Sequence, residues 1–148
     1  MASRSTTTSP ADLHPPADRR PPAEDDPIAA LVADVFARAC PSRVTLEHVA
    51  GKWGMLALAA LLDGNYRFNA LRRRVDGISE KMLAQTLQAL ERDGMVLRDV
   101  QATIPPRVEY SLTPLGHAVA TKLRELIELV ETEMPAVLAA RARFDAPA

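Results

Sequence analysis

The chain has 148 residues, of which 47% are hydrophobic and 25% are charged, and its formal net charge is -1. This composition fits one globular domain with extensions, and it excludes a polycation that binds nucleic acid through bulk charge. No apolar run approaches the roughly 18 residues needed to span a bilayer, and the N-terminus lacks the apolar core of a secretory signal. A single cysteine excludes an internal disulfide, so the expected compartment is the reducing cytoplasm.

The N-terminal part of the chain differs in composition from the rest. Residues 1–26 are rich in Ser, Thr, Pro and Ala without apolar periodicity, which predicts a disordered or loosely attached tail. The folded domain is expected to comprise residues 27–148. Apolar residues at helical spacing from Ile28 to Phe36 predict a first amphipathic helix at its start.

Three further helices are predicted before residue 76. Pro41 suits the first position of a helix that ends at Gly51. The next helix, WGMLALAALLDG, is nearly all apolar and is therefore expected to be buried, and it stops at Gly64. The segment RFNALRRRV predicts a short helix, with Phe68 and Leu71 facing inward and three arginines facing outward.

The following helix has the clearest signals in the chain. Ser79 is a good N-cap, and Glu80 suits the positive end of the helix dipole. The helix is expected to end at Gly94, and leucines at positions 83, 87 and 90 form its buried stripe.

After Gly94 the pattern changes from helical to alternating. MVLRDV and RVEYSL flank QATIPP, which predicts a β-hairpin with a proline-stiffened tip. Thr113-Pro114 starts a long helix, which Pro135 should break near Met134, leaving a last helical turn or two. The order predicts a mainly α fold with a small β-hairpin (α+β), namely a winged helix-turn-helix with N- and C-terminal dimerisation helices. It argues against an α/β enzyme, because no strand–helix–strand repeat is present.

Positive charge is concentrated around the predicted helix pair and hairpin. Between Gly64 and Arg107 there are eight cations and five acids, a local balance of +3 against -1 overall. This segregation favours a DNA-binding surface, with an ordinary solvated surface of mixed charge as the alternative.

A set of short motifs carries a family resemblance over about residues 40–125. The motifs are Cys40-Pro41, Gly51-Lys52-Trp53, Leu62-Asp63-Gly64, Arg67-Phe68-Asn69, Leu71-Arg72, Gly77-Ile78-Ser79, Lys81-Met82-Leu83, Leu90-Glu91, Asp93-Gly94, Pro106-Arg107-Val108-Glu109-Tyr110, and Leu112, Thr113 and Gly116. Together they resemble the HxlR family of bacterial winged-helix transcription regulators. The resemblance implies a dimeric, cytoplasmic regulator of near-palindromic DNA operators, expected here to be a repressor.

In that family, dimers form through the first and last helices. The pattern of this chain agrees, because two amphipathic helices at opposite ends of a small domain can bury their stripes against a second copy. A two-fold dimer would present two recognition helices about 34 Å apart. The alternative is that the long helix packs on its own domain. The expected dimerisation residues are Ile28, Leu31, Val35, Val119, Leu123, Leu126, Ile127 and Val130.

The expected DNA contacts lie on the predicted recognition helix and around it. Glutamines can pair with adenine in the major groove, the helix start attracts phosphates, and arginines contact the backbone. The expected residues are Arg67, Arg72, Arg73, Ser79, Lys81, Gln85, Gln88 and Arg107. At least one of the three consecutive arginines 72–74 is expected to be merely solvated. Family members often carry arginines where this chain has Thr86 and Gln88, which predicts a gentler salt dependence of about 0.9 log unit per lost contact.

Cys40 lies between Arg38 and Arg43, directly before Pro41 at the start of a predicted helix. The helix dipole and the arginines both stabilise a thiolate. Some HxlR-family members sense quinones, aldehydes or oxidants through a cysteine at this position, so the resemblance implies a sensor. With one cysteine, the product would be an intersubunit disulfide, a mixed disulfide with a small thiol, or an alkylated adduct. The alternative is a buried, inert thiol.

Other classes of function have little support in the sequence. His14, His48 and His117 match no common metal spacing with Cys40, and no cofactor is expected. We find no nucleophile–base pair and no phosphate-cradling glycine loop, so an enzyme is not expected. Two alternatives remain open. One is control by a small-molecule ligand at the dimer interface, and the other is a winged-helix protein-interaction module that does not bind DNA.

Overall fold

The computed structural model describes residues 27, 29 and 34–148. Within residues 34–148, six helices and three strands follow one another. They are α1 (Pro41–Ala50), α2 (Lys52–Leu62), β1 (Tyr66–Arg67), α3 (Phe68–Arg74), α4 (Glu80–Arg92), β2 (Val96–Gln101), β3 (Arg107–Leu112), α5 (Pro114–Thr132) and α6 (Met134–Asp145). This order confirms the predicted mainly α fold with a small antiparallel hairpin.

The segment before α1 differs from the prediction. Val35 and Phe36, placed at the end of a first amphipathic helix, lie in turns that run from residue 34 to Cys40. The physical reason is local, because the carboxylate of Asp34 accepts a hydrogen bond from the backbone N–H of Phe36 at 3.2 Å. Cys40 is held extended before Pro41, as a residue that precedes proline prefers. Ile28, Leu31 and the predicted tail over residues 1–26 lie outside the described residues.

The sheet has three strands in the order β1-β3-β2, and all neighbours are antiparallel. The predicted hairpin is confirmed, with pairs that run from Val96 opposite Leu112 to Gln101 opposite Arg107. The third strand, β1, is not anticipated by the sequence pattern. Arg67 was predicted to begin a helix, but it pairs with Glu109 in the sheet. Two residues are too short to show alternation, so this strand depends on tertiary pairing with β3.

The helix-turn-helix consists of α3, a short turn and α4. Gly77 in the turn adopts a φ of 86°, a left-handed conformation that side-chain-bearing residues rarely adopt. Ser79 is the N-cap of α4, as predicted, and its hydroxyl accepts a hydrogen bond from the N–H of Met82 at 3.1 Å. The predicted leucine stripe of α4 is fully buried and fixes the rotation of this helix on the domain.

The start of α5 is fastened to the end of the helix-turn-helix. Thr113 caps α5 by accepting from the N–H of Gly116 at 2.9 Å, and its hydroxyl donates to the carbonyl of Gly94 at 2.5 Å. Gly116 lies so close to Met95 that a Cβ atom there would be 1.9 Å from the Met95 carbonyl oxygen. This part of α5 therefore cannot move independently of the chain that leaves α4.

The helical chain breaks at Glu133, next to the predicted position, and Pro135 lies in the first turn of α6. The sequence predicted only a last turn or two, whereas α6 has 12 residues. The core of the domain lies where α2, α4 and the sheet meet. Its largest fully buried side chains are Leu58, Leu71, Leu83, Leu87, Leu90, Val96 and Cys40.

Candidate nucleic-acid interface

The outer face of α4 is a continuous polar stripe. Lys81, Gln85 and Gln88 are exposed, whereas the leucines on the opposite face are buried. Arg92 is also exposed and continues the stripe, because residues four, seven and eleven positions apart share one face of a helix. Arg92 is not among the predicted DNA contacts, although the same spacing rule finds it. The stripe measures about 16 Å along the helix axis, a length that suits the major groove.

The N-terminal turn of α4 is well suited to anion binding. The cap by Ser79 uses one of the otherwise unpaired N–H groups, and the others remain at the positive end of the dipole. Lys81 is exposed in the same turn. These groups form one end of the polar stripe, where a DNA phosphate would gain both charge and hydrogen bonds.

Arg72 spans the turn between α3 and α4. Its Nη1 atom lies 3.1 Å from Oε1 of Glu80, and its Nε atom donates to the carbonyl of Ile78 at 3.5 Å. Both side chains are substantially exposed, so the ion pair contributes little stability in water. Its structural effect is to hold the guanidinium beside the start of α4, together with the exposed Arg73 at the same turn.

The third arginine of the run points elsewhere. Arg74 lines a cleft between α2 and α5 with Asp63, Arg124 and Glu128. Its charge contributes to lowering the pKa of Asp63, behind the larger effect of Arg124. Arg74 is therefore separated from the polar stripe of α4. The expectation that at least one of the three arginines is merely solvated stays a prediction.

The sheet brings acids next to the cations predicted there. Arg67 on β1 is directly opposite Glu109 on β3, which in turn pairs with Asp99 on β2. Arg107 pairs with Gln101 near the tip of the hairpin. Cross-strand neighbours share one face of a sheet, so the two acids reduce the positive potential around Arg67. The positive charge of this surface is thus concentrated on the helices.

Behind the stripe, α4 is attached to α1. His48 Nδ1 lies 2.6 Å from Oδ2 of Asp93, the C-cap residue of α4. Both side chains are partly buried, which excludes some of the competing water. Nearby, the ammonium of Lys52 lies 4.4 Å from the centre of the Trp53 ring, within cation–π distance. No local pattern in the sequence indicates the His48–Asp93 contact.

A second polar contact joins α5 to the centre of the domain. Arg124 Nη1 lies 2.7 Å from Oδ1 of Asp63, and its Nη2 donates to the carbonyl of Ala59 at 2.8 Å. The hydrogen bond and charge of Arg124 hold the pKa of Asp63 below its usual value of 3.8, and the same contact raises the pKa of Arg124. Both groups are therefore charged at neutral pH.

The predicted dimerisation residues on α5 divide into two groups. Leu123 is buried in the core of its own domain, and Val119 packs against that core. Leu126 and Val130 are about half exposed, whereas Ile127 is less exposed and lines the cleft beside α2. Val35 is partly buried in the turns before α1. The C-terminal half of α5 thus presents apolar surface, to which Leu129, Leu138 and Phe144 add further exposed side chains.

Cys40 is the N-cap residue of α1 and is completely buried. The backbone N–H of Cys40 donates to the carbonyl of Ala37 at 3.1 Å, which fixes the turn that leads into the helix. The predicted position at the positive end of a helix is confirmed. In this conformation a reagent cannot reach the sulfur, because burial shields a thiol from attack.

Among residues 34–148, no group of three or more His, Cys, Asp or Glu side chains is arranged to hold a metal ion. None of the helices over that range is both long and apolar enough to cross a membrane.

A helix-turn-helix followed by a β-hairpin, with a polar exposed face on its second helix, defines a winged helix-turn-helix protein. Residues 48–137 match the HxlR-like helix-turn-helix family. The chain belongs to this family of transcription regulators, as the motifs had indicated.

Individual relatives agree with this assignment. The chain is 53% identical over 108 residues to the uncharacterized HTH-type transcriptional regulator YtfH of Escherichia coli strain K12, which covers 73% of this chain and 86% of that protein. The structure of the YtfH regulator of Salmonella typhimurium has a TM-score of 0.70 at 54% identity, covering 73% of this chain and 96% of that one. The redox regulator HypR in its oxidized form has a TM-score of 0.58 at 39% identity, covering 63% and 96%.

Proposed function

We propose that the protein is a homodimeric repressor that binds a near-palindromic operator, with α4 in the major groove. The observation that carries this proposal is the stripe formed by Lys81, Gln85, Gln88 and Arg92, exposed opposite a fully buried leucine stripe. The buried leucines fix the rotation of this helix, and its outer face presents mainly polar side chains, with Ala84 among them. Because operator DNA lies in the cytoplasm of a bacterial cell, we expect the protein to act there.

The side chains of this surface would have different roles. Gln85 and Gln88 can pair with the N6 and N7 atoms of adenine, which gives base specificity. Ser79, Lys81 and Arg73 would contact phosphates at the helix start, and Arg72 would do so while it remains paired with Glu80. Arg67 and Arg107 would contact the backbone from the sheet. The acids beside Arg67 predict that this arginine contributes less to the salt dependence than Lys81 does.

The test begins by selecting duplexes from a random-sequence pool with the purified protein. Fluorescence anisotropy on the selected duplex then gives the Kd of wild type, Lys81→Ala and Gln85→Ala. We expect Lys81→Ala to weaken binding to all duplexes and to reduce the salt slope by about 0.9. Gln85→Ala should lose about 1–3 kcal/mol of discrimination at one base position.

The matched control for the lysine is Lys122→Ala, on the exposed face of α5 away from the stripe. It should leave both the Kd and the salt slope unchanged. If wild type selects no duplex, or if both lysine variants bind equally, α4 does not read DNA. The protein would then be an interaction module.

The exposed apolar side chains of α5 and α6 support a homodimer. Leu126, Leu129 and Val130 project from the half of α5 beyond the domain core, and they would be buried against a second copy. Analytical ultracentrifugation should show a dimer for wild type and a shift towards monomer for Leu126→Glu with Val130→Glu. A wild-type monomer at micromolar concentration would contradict this part of the proposal.

We also propose that modification of Cys40 releases the DNA. The likeness to HypR, whose structure is described as that of a redox regulator in oxidized form, supports a thiol switch. With a quinone, the sulfur would add to a ring carbon and the thiol proton would pass to one ring oxygen. The hydrogen on the attacked carbon would then move to the second oxygen, which gives a hydroquinone thioether. Because Cys40 is buried, this reaction requires the turn over residues 34–40 to open.

Operator binding before and after quinone treatment tests the switch. Wild type should lose affinity, and Cys40→Ser should keep it, with adduct formation followed by mass spectrometry. If both proteins keep their affinity, Cys40 is a structural residue and the inducing signal acts elsewhere.

The boundary of the DNA-binding unit belongs to the same proposal. We propose that residues 27–148 are sufficient for operator binding. Deletion of residues 1–24 should leave the Kd for the selected duplex unchanged, and a large loss of affinity would refute that boundary.

A further inference from the structure

The tip of the hairpin presents one large aliphatic side chain to solvent. Ile104 is fully exposed, and its neighbours Thr103 and Pro105 are exposed as well. None of the described residues covers the side chain of this isoleucine. The exposure of Ile104 does not follow from the alternation of side chains along a strand, because this residue lies in the loop between β2 and β3.

The tip is held in shape by its own contacts. The hydroxyl of Thr103 donates to the carbonyl of Pro105 at 2.8 Å, and the N–H of Thr103 donates to the carbonyl of Gln101 at 2.8 Å. Pro105 and Pro106 add two fixed φ angles. A loop restrained in this way loses little conformational entropy when it binds a partner.

The hairpin has almost no net charge with which to attract phosphates. Residues 100–106 contain no charged side chain. On the strands, Arg98 and Arg107 are balanced by Asp99 and Glu109. The tip is therefore chemically distinct from the polar stripe on α4, and any contact that it makes is dominated by apolar packing.

We propose that Ile104 enters the minor groove of the operator and packs against a base step as an apolar wedge. This inference rests on the proposed binding of α4 in the major groove. Only three residues separate the end of α4 from the start of β2, so the hairpin leaves the domain directly beside the recognition helix. Strands of six residues extend about 20 Å, and the minor groove, about 6 Å wide, admits a loop tip but not a helix.

An apolar wedge has effects that a phosphate contact does not have. Aliphatic side chains inserted at a base step unstack it partly and bend the duplex towards the major groove. The cost is smallest at flexible pyrimidine–purine steps, so Ile104 would add sequence preference where no hydrogen bond reads the bases. Apolar contact releases no counterions, and the salt slope would be independent of it.

The test uses the full-length protein and the duplex selected by wild type. We expect Ile104→Ala to weaken binding about five- to tenfold with an unchanged salt slope, because most of the buried aliphatic surface is removed. Fluorescence energy transfer between the duplex ends should show a smaller bend. The matched control is Ala102→Ser, an exposed change in the same loop, which should alter neither quantity.

A second measurement places the contact in the minor groove. Replacing adenine by 2-aminoadenine at the flanking steps adds an amino group in the minor groove and leaves the major-groove edge unchanged. At the contacted step, wild type should lose affinity severalfold, whereas Ile104→Ala should be insensitive. An effect of equal size on both proteins would overturn the wedge.

The possible failures are distinguishable. If wild type selects and binds a duplex, and Ile104→Ala binds and bends it equally, the wedge alone is refuted. If wild type binds no duplex, the proposed function fails and the wedge fails with it. Since Ile104 is fully exposed, the thermal midpoint of the variant should match that of wild type, which separates loss of binding from loss of folding.

Discussion

His48 Nδ1 and Asp93 Oδ2 lie 2.6 Å apart and join the last turn of α1 to the C-terminal end of α4. The contact connects residues 45 positions apart in the sequence. It fixes one end of the recognition helix, while the other end is fixed by the Ser79 cap and the Arg72–Glu80 pair. The orientation of α4 therefore depends on polar contacts at both ends as well as on its leucine stripe.

Removing the histidine should destabilise the domain. We expect His48→Ala to lower the free energy of unfolding by about 1–3 kcal/mol, because the partly buried carboxylate of Asp93 loses its partner. Urea titration at pH 7 measures the change. His117→Ala is the matched control, since that side chain is exposed on α5 and should change stability by less than about 0.5 kcal/mol. Equal stability of the two variants would show that the contact is energetically neutral.

The Asp63–Arg124 pair should make stability depend on pH at the acid end. Because the pKa of Asp63 is lower in the folded protein, its contribution is complete above the unfolded value of about 3.9 and is lost as pH falls through the folded value. The difference in unfolding free energy between wild type and Asp63→Asn should thus be constant from about pH 5 to 8 and shrink below about pH 4.

Urea titrations at a series of pH values test this dependence. Asp145→Asn, near the C-terminus and exposed, should give a curve parallel to wild type over the whole range. A wild-type advantage over Asp63→Asn that persists unchanged at pH 2 would contradict the ion pair as the source.

Two substitutions of Ser79, the N-cap residue of α4, should distinguish an effect on stability from an effect on DNA binding. Ser79→Ala should lower the free energy of unfolding by about 1 kcal/mol, since the N–H of Met82 loses its acceptor. Ser79→Asp should retain stability, because aspartate is an equally good N-cap and favours the helix dipole. The aspartate variant should nevertheless bind the selected duplex more weakly than wild type, through repulsion of phosphates. Undiminished binding by Ser79→Asp would place the start of α4 away from the backbone.

Replacing Gly116 by alanine should destabilise the protein, although a glycine-to-alanine change usually stabilises a helix. An exposed helical glycine gains about 1 kcal/mol on replacement by alanine. At Gly116 the new methyl group would lie 1.9 Å from the carbonyl oxygen of Met95, so the start of α5 must shift and buried contacts must open. We expect Gly116→Ala to destabilise by at least about 2 kcal/mol in thermal or urea unfolding. A stabilised variant would mean that this approach is looser than the structure shows.

The sequence predicted those features that local chemistry determines. The Ser79 cap, the leucine period of α4, the alternating hairpin strands and the break before Pro135 all have signals within a few residues, and all are confirmed. The helix proposed through Phe36 was wrong at its end because a single carboxylate, that of Asp34, favours a turn.

The remaining features arise from contacts between distant residues. β1 exists only because Tyr66 and Arg67 meet β3, and the Asp63–Arg124 pair joins residues 61 positions apart. Neither has a local signature. Cys40 has one feature of each kind. Its place at a helix start follows from the neighbouring Pro41, whereas its complete burial depends on how the rest of the domain packs.

The capped start of α5 limits which features of DNA recognition single substitutions could change. The helix is about 28 Å long, and it is joined rigidly to the end of α4 through Thr113 and to α2 through Arg124. In the proposed dimer, the length and direction of α5 would set the separation of the two recognition helices and therefore of the two half-sites. In that dimer, single substitutions on α4 would change the bases that are read and would leave the spacing of the half-sites unaltered.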